Sequence, residues 1–241
     1  MRYRIDLSYD GTNYHGWQIQ PNATTVQGVL NEALHTILRA PILTMGSSRT
    51  DTGVHALIQV VHFDFNKELP GNLLYKLNNL LPWSIAINSI EKVDNEFHSR
   101  YGALSRAYLY RIHQEKNPFR HNKSFLFTKT LDMDQMNKAC EILNKHTDFE
   151  AFSKVKTEVN NFNCTISQAY WKQENGQIIF YIKANRFLRN MVRSIVGTMI
   201  DVGLNKCSLD EFDQIIKTKK RSLAGVSAPA CGLYLSEVNY E

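Results

Sequence analysis

The chain has 241 residues, of which 43% are hydrophobic and 21% charged, proportions typical of a soluble globular protein with a sizeable core. No apolar run approaches the roughly 20 residues of a membrane-spanning helix, and the charged, alternating start lacks the apolar segment of a signal peptide. Four widely spaced cysteines and a net charge of +5 without a basic tail disfavour a zinc site, a disulfide framework and a nucleic-acid-binding tail, and favour reduced thiols in a cytoplasmic protein.

The first forty residues predict a strand followed by a helix. Apolar and polar residues alternate over residues 3–9, which is the period of a half-buried strand. Residues 16–21 are irregular, and Trp17 among them is either a packing plug or part of a contact surface. Thr24 and Gln27 fit a capping box, and the apolar residues that follow recur at helical spacing as far as Leu38.

The next segment, residues 47–56, lies between two apolar stretches, 41–45 and 57–63, that are predicted strands. It reads Ser47-Ser48-Arg49-Thr50-Asp51-Thr52-Gly53-Val54-His55-Ala56. Asp, Thr and Gly favour turns, so the segment is predicted to be a tight loop that holds a side chain in a fixed orientation. A neighbouring cation stabilises an ionised carboxylate, so Asp51 beside Arg49 is expected to be charged. The loop is either a salt-bridged turn or the carrier of a reactive carboxylate.

The remaining elements indicate two halves, residues 1–102 and 103–241. Leucines at helical spacing over residues 73–81 predict a second helix that stops at Pro82, and a strand with Ile85 and Ile87 follows. The second half opens with a strand over residues 105–113. Arg106, Tyr108, Tyr110 and Ile112 share one face of that strand, which is either sheet core or a stacking platform for bases. Later, Asp132 with Gln135 marks a helix start and Asn175-Gly176 marks a hairpin.

Two basic features follow in the second half. A helix is predicted over residues 185–199, with Arg186, Arg189 and Arg193 on one stripe at spacings of three and four. Arginines without interleaved acids suit phosphate contacts, although a solvated charged face is the alternative. A second basic cluster, residues 217–221, includes Lys219 and ends a short helix capped by Ser208 and Glu211. A loop over residues 228–232 then leads into a final strand.

Four motifs together carry a family resemblance. In chain order they are Arg49-Thr50-Asp51-Thr52-Gly53-Val54-His55-Ala56, Arg106-Ala107-Tyr108-Leu109-Tyr110, Phe187-Leu188-Arg189-Asn190-Met191-Val192-Arg193 and Gly232-Leu233-Tyr234-Leu235. In this order and at these separations the chain resembles the tRNA pseudouridine synthase A family over nearly its whole length. Thr52 departs from the pattern, which has alanine there in most relatives, but a small hydroxyl side chain suits the turn.

The resemblance implies an α+β fold of two similar halves, with mainly antiparallel sheet flanked by helices and a basic cleft between the halves. It implies an isomerase that converts uridine to pseudouridine in the anticodon stem-loop of tRNA, at positions 38, 39 or 40, without cofactor or metal ion. It also implies a cytoplasmic homodimer that binds tRNA.

The same resemblance implies roles for five residues. Asp51 matches the catalytic aspartate, and Arg49 and Arg193 match positions near its carboxylate. Tyr108 matches the active-site tyrosine, and Leu233 matches a residue that lines the uracil pocket. From the basic residues themselves, Arg186, Arg189 and Lys219 are expected to contact RNA phosphates.

Two other classes of protein are compatible with parts of the sequence. Asp51-Thr52-Gly53 is also the signature of aspartic proteases, but those enzymes need two such carboxylates and the triplet occurs once here. A non-catalytic RNA-binding module would explain the arginines and aromatics but not the loop around Asp51.

Overall fold

The computed structural model describes residues 1–154 and 161–241, which form two compact units. The first unit comprises Met1–Leu104 with Tyr234–Glu241, and the second comprises Ser105–Leu233. The units differ from two consecutive halves at the C-terminus, where the last strand joins the first unit. Both units mix strands and helices, which confirms the α+β class.

The described residues contain nine strands and five α-helices. The strands are β1 (Arg2–Tyr9), β2 (Met45–Gly46), β3 (His55–Asp64), β4 (Ile85–Val93), β5 (Ser105–His113), β6 (Phe125–Leu126), β7 (Ile166–Glu174), β8 (Gln177–Ala184) and β9 (Leu233–Asn239). The helices are α1 (Val26–Leu38), α2 (Leu73–Leu80), α3 (Met133–Leu143), α4 (Met191–Gly203) and α5 (Leu209–Thr218). In this part of the chain, no helix is both long and apolar enough to cross a membrane.

The sheet of the first unit runs in the order β4-β1-β3-β9, with β2 paired to β3. The pairs of β3 with β1 and β2, and of β1 with β4, are antiparallel, whereas β3 and β9 run parallel. The predicted alternation of β1 is confirmed, because every second side chain is buried. The largest fully buried side chains of this unit are Trp17, Phe63, Ile5, Leu7, Leu30, Leu34 and Leu77. Full burial of each such side chain contributes about 1.5–3 kcal/mol to stability.

In the first unit the structure corrects two predictions and decides between the two alternatives for Trp17. The capping box at Thr24 is wrong by one residue, because Thr25 is the N-cap of α1 and its side chain accepts from the Gly28 N–H. The strand expected over residues 41–45 shrinks to β2, whose two residues pair with His62 and Val61. Trp17 is only 2% exposed, so it is a packing plug.

The sheet of the second unit runs in the order β5-β8-β7, with the short β6 parallel to β5. The predicted hairpin is confirmed. Asn175 and Gly176 have φ of 51° and 67°, the left-handed backbone that a two-residue hairpin turn requires and that these residue types tolerate. The core includes Tyr110, Phe149, Phe152, Phe180 and Phe212. All four cysteines lie in this unit as free thiols, as the sequence predicts.

Candidate active site

Asp51 lies in the irregular segment that joins β2 to β3 in the first unit. Thr50 and Val54 on either side are buried, whereas Asp51 is half-buried and Thr52 is exposed. Arg49 is exposed on the same segment. The loop predicted from the sequence therefore exists, and it presents the carboxylate from a well-packed base.

Hydrogen bonds fix the backbone on both sides of Asp51. The Thr50 carbonyl accepts from the Trp17 N–H at 3.1 Å, and the Asp51 carbonyl accepts from the Val54 N–H at 3.1 Å. Two residues after Asp51, the Gly53 N–H donates to the Tyr14 carbonyl at 3.2 Å. The segment 10–17 therefore provides partners that a loop outside a sheet would otherwise lack.

Gly16 allows these two segments to approach each other. Its φ is +90°, and a Cβ built there would lie 2.5 Å from the Thr50 carbonyl oxygen. Any other residue would both strain the backbone and displace the peptide that precedes Asp51. The glycine is therefore part of what places the carboxylate.

Tyr9 and Thr50 form a contact that sequence analysis did not anticipate. The Tyr9 hydroxyl lies 2.7 Å from the Thr50 Oγ1, and both side chains are buried. The Tyr9 ring stacks on Trp17 with centroids 6.1 Å apart. The available signal was a tyrosine at the end of the apolar face of β1, together with a hydroxyl residue next to Asp51.

His55 anchors the downstream end of the loop, where β3 begins. It is 1% exposed, and its Nδ1 accepts from the Gly11 N–H at 3.1 Å and lies 3.0 Å from the Asp10 carboxylate. Its ring stacks on Tyr234 of β9, with centroids 4.5 Å apart and an interplanar angle of 22°. The strand that starts four residues after Asp51 is thus held by both the 10–17 segment and the last strand.

Gln59 supports the upstream end of the loop. Its amide oxygen accepts from the Ser47 hydroxyl at 2.6 Å and from the Ser48 N–H at 3.2 Å, and its nitrogen donates to the Ser48 carbonyl at 2.8 Å. Gln59 is fully buried, so these three bonds satisfy a polar group that would otherwise be costly inside the core.

The second unit holds the other residues that the resemblance implies. Tyr108 on β5 is 9% exposed, and the Phe187 ring meets it edge to face at 5.0 Å and 88°. Tyr110 and Ile112 on the same strand are fully buried, so that end of the predicted face is sheet core. Leu233 is the first residue of β9 and is buried.

Arg193 holds the segment that leads to Leu233. Its Nε donates to the Ala228 carbonyl at 2.7 Å, and its own carbonyl accepts from the Ala228 N–H at 2.9 Å. The Tyr110 hydroxyl donates to the neighbouring Pro229 carbonyl at 2.8 Å. The loop that leads to Leu233, a predicted pocket residue, is thus fixed in part by Arg193, another predicted site residue.

The predicted stripe of three arginines on one helix is wrong. Helix α4 begins only at Met191, after Asn190 adopts a left-handed φ of 65°, so Arg186 and Arg189 lie in the preceding loop. The Asn190 side chain donates to the Ser227 hydroxyl at 2.7 Å, a tertiary contact that holds this break. Arg193 alone is on the helix, in its first turn. Arg186 is half-buried, and its guanidinium donates to the Asn161 side chain at 3.3 Å, whereas Arg189 is exposed.

Lys219 already has an anionic partner. Its Nζ lies 2.6 Å from the Asp148 carboxylate, and this bond raises the pKa of Lys219. In the same basic cluster, Lys217 pairs with Asp213 one helical turn earlier. Part of the cluster charge is therefore neutralised within the unit.

The similarity of the chain to known proteins covers both units. A family model described as tRNA pseudouridine synthase matches residues 7–102 and 139–241. A protein named tRNA pseudouridine synthase A from Parabacteroides distasonis is 45% identical over 242 residues, 99% of this chain and 96% of the relative. Proteins of the same name from Porphyromonas gingivalis and an Exiguobacterium species are 44% and 41% identical, with 97% and 98% of their own lengths covered.

Proposed function

The chain belongs to the tRNA pseudouridine synthase family, and from this premise we propose that it isomerises uridines of the tRNA anticodon stem-loop with Asp51 as its nucleophile. Membership makes it an isomerase that forms pseudouridine in tRNA. Positions 38, 39 and 40, a homodimeric state and a cytoplasmic location are further parts of the proposal, which the sequence resemblance supports. Light scattering tests the dimer, for which the expected mass is twice 27.8 kDa.

The observation that carries the assignment of Asp51 is its fixed backbone. The carbonyls on both sides of its Cα are hydrogen-bonded at 3.1 Å, yet the side chain is only half-buried. Reactive groups work best when their orientation is set before substrate binds, since misplacement by about 1 Å can cost about a hundredfold in rate. A loop that served only as a turn would not need the close approach of Gly16 to Thr50.

The reaction suits a lone carboxylate. The N-glycosidic bond of uridine breaks, the uracil turns over, and a bond forms between C1′ and C5, while C5 loses its hydrogen as a proton and N1 takes up a proton. No electron or water is consumed. A carboxylate that attacks the substrate forms a covalent adduct and later releases it, a role carboxylates fill in other enzymes. Attack at C6, attack at C1′ and removal of a sugar proton are three first steps that the same carboxylate can perform.

The second unit is proposed to supply substrate contacts. The uridine must leave the base stack, and an aromatic face is the usual support for a flipped base. Tyr108 is proposed as that face, and Leu233 as a wall of the uracil pocket. Arg193 and Arg49 are proposed to balance the Asp51 charge and hold phosphate. Arg186, Arg189 and Lys219 are proposed as weaker phosphate contacts.

The test is release of tritium from a tRNA transcript labelled at uracil C5. Because the new carbon bond displaces the C5 hydrogen, the protein alone should release tritium to water, in the presence of a chelator and without nucleotide or reductant. Asp51→Asn should abolish release while tRNA affinity falls less than about tenfold, since the change removes chemistry and not a phosphate contact. Asp134→Asn, an exposed carboxylate on α3, is the matched control and should retain activity.

Two results would contradict the proposal. Substantial turnover by Asp51→Asn would show that Asp51 is not the nucleophile. Product found only outside the anticodon arm would contradict the substrate site while leaving the chemistry intact. A binding module or a protease would release no tritium at all.

A further inference from the structure

We infer that Tyr9 is a positioning residue for Asp51: its hydroxyl, bonded to that of Thr50, fixes the peptide from which the Asp51 side chain projects. The inference rests on the proposed function, because it takes Asp51 as the reacting group. It concerns the first unit alone, where every contact involved lies.

The direction of the Asp51 side chain is set by two peptide groups. Its Cα lies between the Thr50–Asp51 and Asp51–Thr52 peptides, and each is planar, so only φ and ψ of Asp51 remain free. The carbonyl of the first accepts from the Trp17 N–H and the carbonyl of the second accepts from the Val54 N–H, both at 3.1 Å. With both planes held, the Cα–Cβ bond of Asp51 points in one direction.

The Tyr9–Thr50 bond is the side-chain part of this restraint. The two backbone bonds are available to any residue types, whereas the 2.7 Å contact requires a hydroxyl at both Tyr9 and Thr50. Tyr9 and Thr50 are 4% and 7% exposed, so water competes poorly for either hydroxyl. The bond therefore restrains the residue directly before Asp51.

Tyr9 itself is mounted on a rigid element. It is the last residue of β1, paired with Ala56 of β3 and with Ile85 of β4, and its ring stacks on Trp17. A site supported by the central strands of a sheet is more precise than one supported by a loop. Because Tyr9 is held in the sheet and bonds to Thr50, the loop at Thr50 is fixed relative to the sheet.

The alternative is that the Tyr9–Thr50 bond only stabilises the fold. A variant that lacks both hydroxyls distinguishes this structural role from positioning of Asp51. Removing one hydroxyl breaks the bond and takes a partner from the other hydroxyl, which destabilises the fold, whereas removing both leaves neither end of this bond unsatisfied and costs less stability. We therefore compare Tyr9→Phe, Thr50→Val and the double variant, with Thr50→Ser as the variant that keeps the hydroxyl. Tyr3→Phe is the control, because Tyr3 is also buried on β1 and its hydroxyl donates to the Lys67 carbonyl, away from the loop.

A positioning role predicts that kcat falls about tenfold to a hundredfold in Tyr9→Phe and Thr50→Val, with tRNA affinity within about twofold of wild type. In the double variant the melting temperature should recover while kcat stays low. Thr50→Ser should regain most of the turnover lost in Thr50→Val. Tyr3→Phe should turn over like wild type.

Wild-type turnover in the stable double variant would overturn the inference, as would losses of kcat in the single variants that merely follow the unfolded fraction. An equal loss in Tyr3→Phe would show a general effect of strand β1. These failures differ from failure of the proposed function, in which wild-type protein itself would release no tritium.

Discussion

His62 is a histidine that the fold keeps neutral. It lies on β3, 7% exposed, with its Nδ1 2.8 Å from the Ser99 hydroxyl and 3.2 Å from the Ser99 nitrogen. Burial, with further contributions from Arg2 and His98, lowers the pKa of His62 from 6.5 to about 4. Below pH 6.5 the unfolded chain therefore binds a proton that the folded chain does not, so protonation favours unfolding.

This residue predicts how stability depends on pH. The contribution of His62 is fully present above pH 6.5 and is lost as the pH falls from 6.5 to about 4, by about 2 kcal/mol in the free energy of unfolding. His62→Asn, which keeps an acceptor near Ser99 but does not titrate, should flatten this dependence in urea denaturation measured between pH 4 and 7. His121→Asn, at an exposed histidine, should leave the dependence unchanged. Equal slopes in all three proteins would contradict the prediction.

At the scale of elements, the sequence predicts best those features whose partners are close along the chain. The caps of α3 and α5 and the turn at Asn175-Gly176 join residues at most three positions apart, and the structure has each of them as expected. The predicted cap of α1 is one residue off because the Gln27 side chain does not bond to the helix start. It accepts from the Ile19 N–H and donates to the Thr44 carbonyl instead. No local rule indicates such a competitor.

In the candidate site, too, features formed by neighbouring residues could be predicted and contacts between distant residues could not. Asp51, Arg49 and the glycine of the loop could be proposed from the sequence because they form a contiguous motif. The Tyr9–Thr50 bond joins residues 41 positions apart, so only the paired sheet brings them together. The start of α4 was predicted wrongly for the same reason: the apolar period continues through Asn190, but a contact with Ser227, 37 positions away, holds a break there.

The capping box of α5 gives a prediction at this scale. The Ser208 side chain accepts from the Glu211 N–H, and the Glu211 carboxylate accepts from the Ser208 N–H at 2.8 Å. Ser208→Ala should lower the free energy of unfolding by about 1 kcal/mol, because it leaves a helix N–H without its partner. Ser222→Ala, at an exposed serine in the same unit, should change it little. Equal effects in chemical denaturation would show that the cap contributes nothing specific.

At the scale of the whole molecule, charge should govern tRNA binding. The chain has 28 Lys and Arg against 23 Asp and Glu, a small excess that is further reduced locally by ion pairs such as Lys219–Asp148. Binding to the tRNA backbone releases counterions, so affinity should fall steeply with salt. A basic side chain that must first leave a carboxylate of the protein should contribute less than one full unit to this dependence on salt.

Arg189 and Lys219 allow this to be measured. Arg189→Gln should reduce the slope of log affinity against log salt by about one unit if the exposed guanidinium contacts phosphate. Lys219→Gln should reduce it by clearly less than one unit, because the ammonium lies 2.6 Å from Asp148. Titrations of labelled tRNA at several salt concentrations give both slopes. A reduction by a full unit in Lys219→Gln would mean that Lys219 leaves Asp148 for the RNA.

The position of β9 has a consequence for the order of events during synthesis. Residues His55 and Ala56 of β3 pair with Tyr234 and Leu235, which leave the ribosome nearly 180 residues later. Until then the strand that follows the Asp51 loop lacks this neighbour, and His55 lacks the ring on which it stacks. A nascent chain halted before β9 should therefore hold an incomplete first unit with an open strand edge, which is prone to pairing with other chains. The strand that follows the Asp51 loop therefore reaches its complete pairing only after residues 234 and 235 have been synthesised.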